Sequence, residues 1–249
     1  MPITTNRYLA FSKSAYYAVV GSLPILVVYE LLVLLSKEGR VEMRNAADVW
    51  LRTVLGAFGL TPTQAYLVMI LLLVLAIPVV RGRGVVLVPR YFAIMVGEAL
   101  VYSVLLGIAI DILLVPVFFT FGAFVQTGTG GAGIPLAVPA IGGFSQIVSQ
   151  SLGAGLFEEF VFRVILLNGF LAMARLIFRE WLAALISITA AAFFFSLAHY
   201  IGALGDVFGV HSFLFRWMAG MLFTMLYYWR GFAVTAYAHA LYDIRVLLF

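Results

Sequence analysis

The stretch Gly155-Leu156-Phe157-Glu158-Glu159-Phe160-Val161-Phe162-Arg163 sets two adjacent carboxylates and a guanidinium among large apolar side chains. The chain around it, from 143 to 174, is apolar for longer than the ~20 residues a membrane span needs. An ionisable group inside a span costs at least about 2.5–3.5 kcal/mol on insertion scales, so each one needs a partner or a task. Glu159 and Arg163 are four apart, share a helix face and can pair. Glu158 points about 100° away from Glu159. The spacing predicts one carboxylate fixed by Arg163 and one free to work as a general base.

The rest of the chain explains why such groups stand out. Of 249 residues, 64% are hydrophobic and only 10% are charged. A soluble domain is about 45–50% apolar and about 25% charged. With a mean hydropathy of +1.11, a soluble sphere of this size could not hide its apolar surface. That excludes a soluble enzyme with a single anchor, a secreted disulfide scaffold and a disordered chain. Cysteine is absent, which removes disulfides, thiolate nucleophiles, iron–sulfur ligation and Cys-based zinc sites. The net charge of +4 fits loops beside a bilayer rather than nucleic acid. The polar N-terminus, with Arg7 and Lys13 before a long apolar run, is not the pattern of a cleavable signal.

The expected fold is an all-α, polytopic transmembrane bundle of about seven to eight spans around a polar intramembrane cavity. It forms a single integral membrane domain over residues 1–249, with a core at 143–248. The spans are expected at 14–35, 64–80, 90–119, 143–174, 181–200, 210–228 and 232–248. The third is long enough to tilt or to kink at Pro116. Residues 36–63 read as a charged connection. Its part 46–58 could form an interfacial helix, anchored by Trp50, or insert as an eighth span. The uncharged segment 120–143 reads as a loop or re-entrant stretch. Basic residues Arg7, Lys13, Arg81, Arg83, Arg90, Arg175, Arg179 and Arg230 would share one side, putting the N-terminus in the cytoplasm; the mixed charge of 36–63 partly contradicts this.

Other polar residues fall inside spans. Glu30 lies near a span end and is expected to reach the interface by snorkelling. Glu98 and Asp111 either pair with an arginine, for which Arg216 and Arg245 are candidates unless these anchor at the interface, or face a wet cavity. His211 stands at a helix start and reads as structural. His199 closes the fifth span, where a histidine also suits the helix dipole. His239 and Asp243 are four apart on the seventh, and a hydrogen bond between them would satisfy both. Taken together these groups imply a shared cavity, because membranes rarely tolerate so many ionisable side chains otherwise.

Their order along the chain is Glu158-Glu159-x-x-x-Arg163, Phe195-x-x-x-His199 and His239-x-x-x-Asp243. This set resembles the CAAX prenyl protease and bacteriocin-processing family (CPBP, or ABI), over about residues 150–245. The resemblance implies a glutamate-dependent intramembrane endopeptidase. In it Glu158 and His199 would position and deprotonate a water, and Glu159 and Arg163 would hold the geometry. His239 and Asp243 would donate to, or orient donors toward, the developing oxyanion. The family carries Asn or Asp at the last position. Asp243 can donate only when protonated, and otherwise would orient His239 as a carboxylate does in a triad. The expected partners are a peptide or lipidated protein substrate and membrane lipid, with no nucleic acid, no cofactor and no metal. The expected location is a prokaryotic cell membrane.

The residues themselves agree with water activation, since the chain lacks Gly-x-Ser-x-Gly, His-Glu-x-x-His and any cysteine. Zinc held by His199, His239 and a carboxylate is an alternative. So are a non-catalytic scaffold or immunity protein and a proton-coupled transporter, although no inverted repeat is visible. Glu158 near the start of its span and His199 near the end of its own should lie on one side of the bilayer. The charge pattern puts that side outside, whereas resemblance to proteases of cytosolic C-terminal tails puts it in the cytoplasm.

Overall fold

A computed structural model describes residues 5–35, 44–82, 84–125, 143–202 and 205–248, and every regular element among them is helical. Short α1 (Thr5–Ser12) leads into α2 (Ala15–Leu35). Then come α3 (Ala46–Gly56), α4 (Pro62–Val80) and α5 (Pro89–Val125). One continuous rod is built from α6 (Phe144–Gly153), two wider-wound segments at Ala154–Glu158 and Phe160–Leu167, and α7 (Asn168–Ala174). The chain ends with α8 (Glu180–Ala198), α9 (Val210–Arg230) and α10 (Phe232–Leu248).

All seven stretches expected to be spans are helices. Four are long and apolar enough to cross a membrane by length and composition: Ala15–Leu35, Pro62–Val80, Pro89–Leu114 and Glu180–Ala198. Their outward faces carry large apolar residues such as Leu31, Leu71, Leu75, Leu105 and Leu185, as a lipid-facing surface would. Helix α5 stays helical to Val125, several residues into the segment expected as a loop; residues 126–142 of that segment lie outside the described ones. Residues 46–56 of the expected interfacial helix form α3. Its N-cap is Asn45, whose side chain accepts from Ala47 N at 2.9 Å. Thr61 and Gln64 close a reciprocal capping box at the start of α4, satisfying donors that a helix start otherwise leaves open.

Helix α10 lies at the centre, against α2, α5, α9 and the rod. Gly155 makes this possible. A Cβ there would fall 2.9 Å from both the backbone N and the Cβ of Ala240, so only glycine lets α10 come this close. Gly153, two residues earlier, gives the same room to another element: a Cβ would fall 2.7 Å from Asn45 Cβ and from the Tyr29 ring. The rod thus admits α10 on one side and the start of α3 on another.

Two ion clusters correct the expected partners of buried charges. Glu30 does not snorkel. It is 5% exposed and accepts from Arg44 (3.0 and 3.1 Å) and Arg52 (2.9 Å). Both arginines also bind Asp48, at 3.0 and 2.6 Å. Burial alone would lower the Arg44 pKa, but its bonds to Glu30 and Asp48 outweigh that and raise it. Glu98 does pair, but with Arg230 (2.6 and 3.0 Å) rather than Arg216 or Arg245. Tyr8 adds a bond at 2.5 Å. Arg230, assigned to a loop edge by sequence, is 1% exposed, and Arg216 binds Asp206 instead.

Substituting Gly155→Ala should lower stability by about 1–3 kcal/mol through overpacking. Gly169→Ala, where nothing lies within 4 Å, should be neutral or stabilise by up to about 1 kcal/mol. Thermal unfolding in detergent distinguishes them; equal melting of the two variants would contradict the close approach.

Candidate active site

The motif stretch falls where the rod widens to the i→i+5 pattern, at Ala154–Glu158 and Phe160–Leu167. Such turns are rare and recur at functional sites. Here the two adjacent carboxylates go to different surroundings, as their one-residue spacing predicts.

Glu159 is fully buried. Its Oε2 lies 3.1 Å from Arg163 Nε, an ion pair that lacks the alignment of a hydrogen bond. Its Oε1 lies 2.7 Å from His239 Nδ1. The expected partnership with Arg163 is therefore only half of what holds Glu159; the other half comes from α10. Arg163 is itself 1% exposed. It donates weakly to Gly220 O at 3.4 Å and stands 4.7 Å over the Phe195 ring.

His239 is fixed on three sides. Its ring stacks on Phe223 at 4.5 Å, Nδ1 meets Glu159, and Nε2 lies 3.5 Å from Asp243 Oδ2. That last distance suits an ion pair better than a hydrogen bond. Phe195 gathers the remaining groups: its ring is 5.0 Å from His199 and 6.1 Å from His239, both edge-on, as well as beneath Arg163. Its carbonyl holds His199 Nδ1 at 2.9 Å, which leaves His199 Nε2 as the free ring nitrogen.

Glu158 takes a neutral partner instead of an arginine. Its Oε1 accepts from Asn45 Nδ2 at 2.9 Å. It lines a cavity with His199, Phe162, Ala198, Ala46, Ala47 and Trp50. Trp50, expected as an interface anchor, faces this space. The cavity offers about 30 Å³ to water-sized occupants; one water needs about 10–15 Å³. It lies on the face of the bundle that carries the start of α3 and the end of α8.

The six sequence candidates are carried by the rod (Glu158, Glu159, Arg163), by the C-cap of α8 (His199) and by α10 (His239, Asp243). Asn45 was missed. It is 113 residues from Glu158 in sequence, in a segment without any motif, and its only local signal was the helix cap. Among the described residues no three His, Asp or Glu gather closely enough to hold a metal ion. The zinc alternative needs His199, His239 and a carboxylate on one centre, and both nitrogens of His239 already face carboxylates of the chain.

Residues 140–245 match the family model described as Rce1-like, type II CAAX prenyl endopeptidase. That interval contains all six candidates and bears out the resemblance drawn from their order. No curated protein and no solved structure matches the chain.

Replacing Arg163 by Met leaves the buried Glu159 carboxylate with His239 as its remaining partner and should cost about 3–5 kcal/mol. Adding Glu159→Gln should recover part of that loss. Unfolding of single and double variants in detergent measures the coupling, and additive losses would show that the pair does not interact.

Proposed function

Starting from an Rce1-like domain at residues 140–245, we propose that this protein is an intramembrane endopeptidase in which Glu158 and His199 activate a water against a peptide bond. The observation that carries this reading is the small cavity with Glu158 and His199 in its walls and room for a water. The match itself points to a hydrolase of the CAAX-protease kind. The glutamate mechanism and the roles below are the proposal.

In this mechanism the water oxygen attacks the scissile carbonyl carbon while its proton passes to the Glu158 carboxylate. His199, held through Nδ1 by the Phe195 carbonyl, presents Nε2 to the same water. Collapse of the tetrahedral intermediate breaks the C–N bond, and the proton held by Glu158 goes to the departing amine. General acid–base help of this kind contributes about 10²–10⁴-fold. With a proton on each nitrogen, His239 gives Nδ1–H to Glu159 and turns Nε2–H toward Asp243 and the developing oxyanion. One such donor is worth about 10²–10³-fold. Asp243 then orients the ring rather than donating itself. Glu159 and Arg163 act as positioning residues, since Arg163 pairs with Glu159 and Glu159 holds His239 through Nδ1.

The substrate class is a membrane-associated peptide, including a lipidated C-terminal tail. All seven long helical stretches cross the bilayer in this reading, including the rod, α9 and α10. Glu159, Arg163 and His239 face one another, as do Glu98 and Arg230, whereas Asp111 on α5 stands exposed.

Purified protein in liposomes should cleave a lipidated C-terminal peptide. Glu158→Gln and His199→Ala should each lower kcat by at least about 10²-fold. Cleavage that survives Glu158→Gln at full rate would overturn the mechanism, and transport that depends on Glu158 without any cleavage would favour a carrier.

A further inference from the structure

Asn45 is the one side chain from outside the matched interval that hydrogen-bonds Glu158, among the described residues. It is 7% exposed, and both ends of its amide are committed. Oδ1 accepts from Ala47 N at 2.9 Å as the N-cap of α3. Nδ2 donates to Glu158 Oε1, also at 2.9 Å. The amide cannot be turned over, because that would set its oxygen against the carboxylate and its NH₂ against the Ala47 N–H. The backbone is fixed as well: Asn45 N donates to Tyr29 Oη at 3.2 Å, and Tyr29 Oη donates to Asp48 at 2.9 Å. Asp48 in turn belongs to the cluster of Glu30, Arg44 and Arg52. Gly153 leaves the space that lets Asn45 reach the rod.

We infer that Asn45 is a positioning residue for Glu158: it occupies Oε1 with a fixed neutral donor and leaves Oε2 as the oxygen that takes the proton from water. The inference rests on Glu158 being the base, as proposed above. The four-charge cluster serves the site at one remove, by holding the start of α3 in register with the rod. A neutral donor suits this task where an arginine would not. A guanidinium would hold the carboxylate as it holds Glu159, and a tightly paired carboxylate is a poor proton acceptor.

Asp and Ser keep the N-cap, so Asn45→Asp and Asn45→Ser remove the donor to Glu158 while sparing the helix start. Each should lower kcat about ten- to a hundredfold, the worth of one hydrogen bond to a charged group. KM should stay within about twofold, and in Asn45→Ser the melting temperature should fall by no more than the loss of that one buried hydrogen bond explains. The acidic limb of the pH–rate profile should move. That readout is independent of how much protein is active, so it stands even if a variant folds in low yield. An unchanged kcat and pH profile in both variants, or a loss that appears only as lowered thermal stability, would overturn the inference. Glu158→Gln in the same assay separates the two ideas. If it leaves cleavage intact, the reading of Glu158 as base fails. If it abolishes cleavage while both Asn45 variants behave as the parent, only the role of Asn45 fails.

Discussion

A carboxylate buried in an apolar helix must be neutralised where it stands, and the structure depends on how this is done for Glu159. One oxygen meets Arg163 on the same helix and the other meets His239 on α10. Removing both charges from water costs several kcal/mol per ion, repaid only when geometry and further partners are good. The further partners are aromatic: Phe195 under Arg163, and Phe223 under His239. Through these contacts a single anion ties the rod to α8, α9 and α10. Gly155 is the steric condition for it, since α10 could not otherwise reach the rod.

The same rule recurs away from the centre. Glu98 and Arg230 join α5 to α9, with Tyr8 of α1 added. Glu30 and Asp48 with Arg44 and Arg52 join α2 to α3. In each cluster carboxylates take arginine partners. Glu158 differs, with an amide at one oxygen and a water-sized cavity beside it. That contrast between two adjacent residues is the physical basis for the different work proposed for them, Glu159 holding the frame and Glu158 keeping an oxygen available.

Much of this was legible in the sequence. A run of apolar residues long enough to cross a bilayer must close its backbone hydrogen bonds internally, so the helices fell where hydropathy placed them. The i,i+4 spacing of Glu159 and Arg163 survives the wider winding of the rod. What the sequence concealed were partners remote along the chain. Glu30 looked like an interface residue because the arginines that bury it follow 14 and 22 residues later in the chain. Arg230 looked like loop charge because it stands at a helix end, yet it turns inward to Glu98. The bond from His239 to Glu159, rather than to Asp243 alone, depends on how closely two helices approach, which no local pattern reports. Asn45 carried only a capping signal, and nothing local ties a cap to a carboxylate 113 residues away.

The most direct measurement is a structure of the protein with an uncleavable peptide analogue bound in liposome-derived nanodiscs. The scissile carbonyl carbon should lie about 3–3.5 Å from a water held between Glu158 and His199, the separation expected of a reactive conformer. The carbonyl oxygen should face His239. A peptide seated away from this cavity, or a carbonyl with no water between it and Glu158, would contradict the assignment of Glu158 as the base.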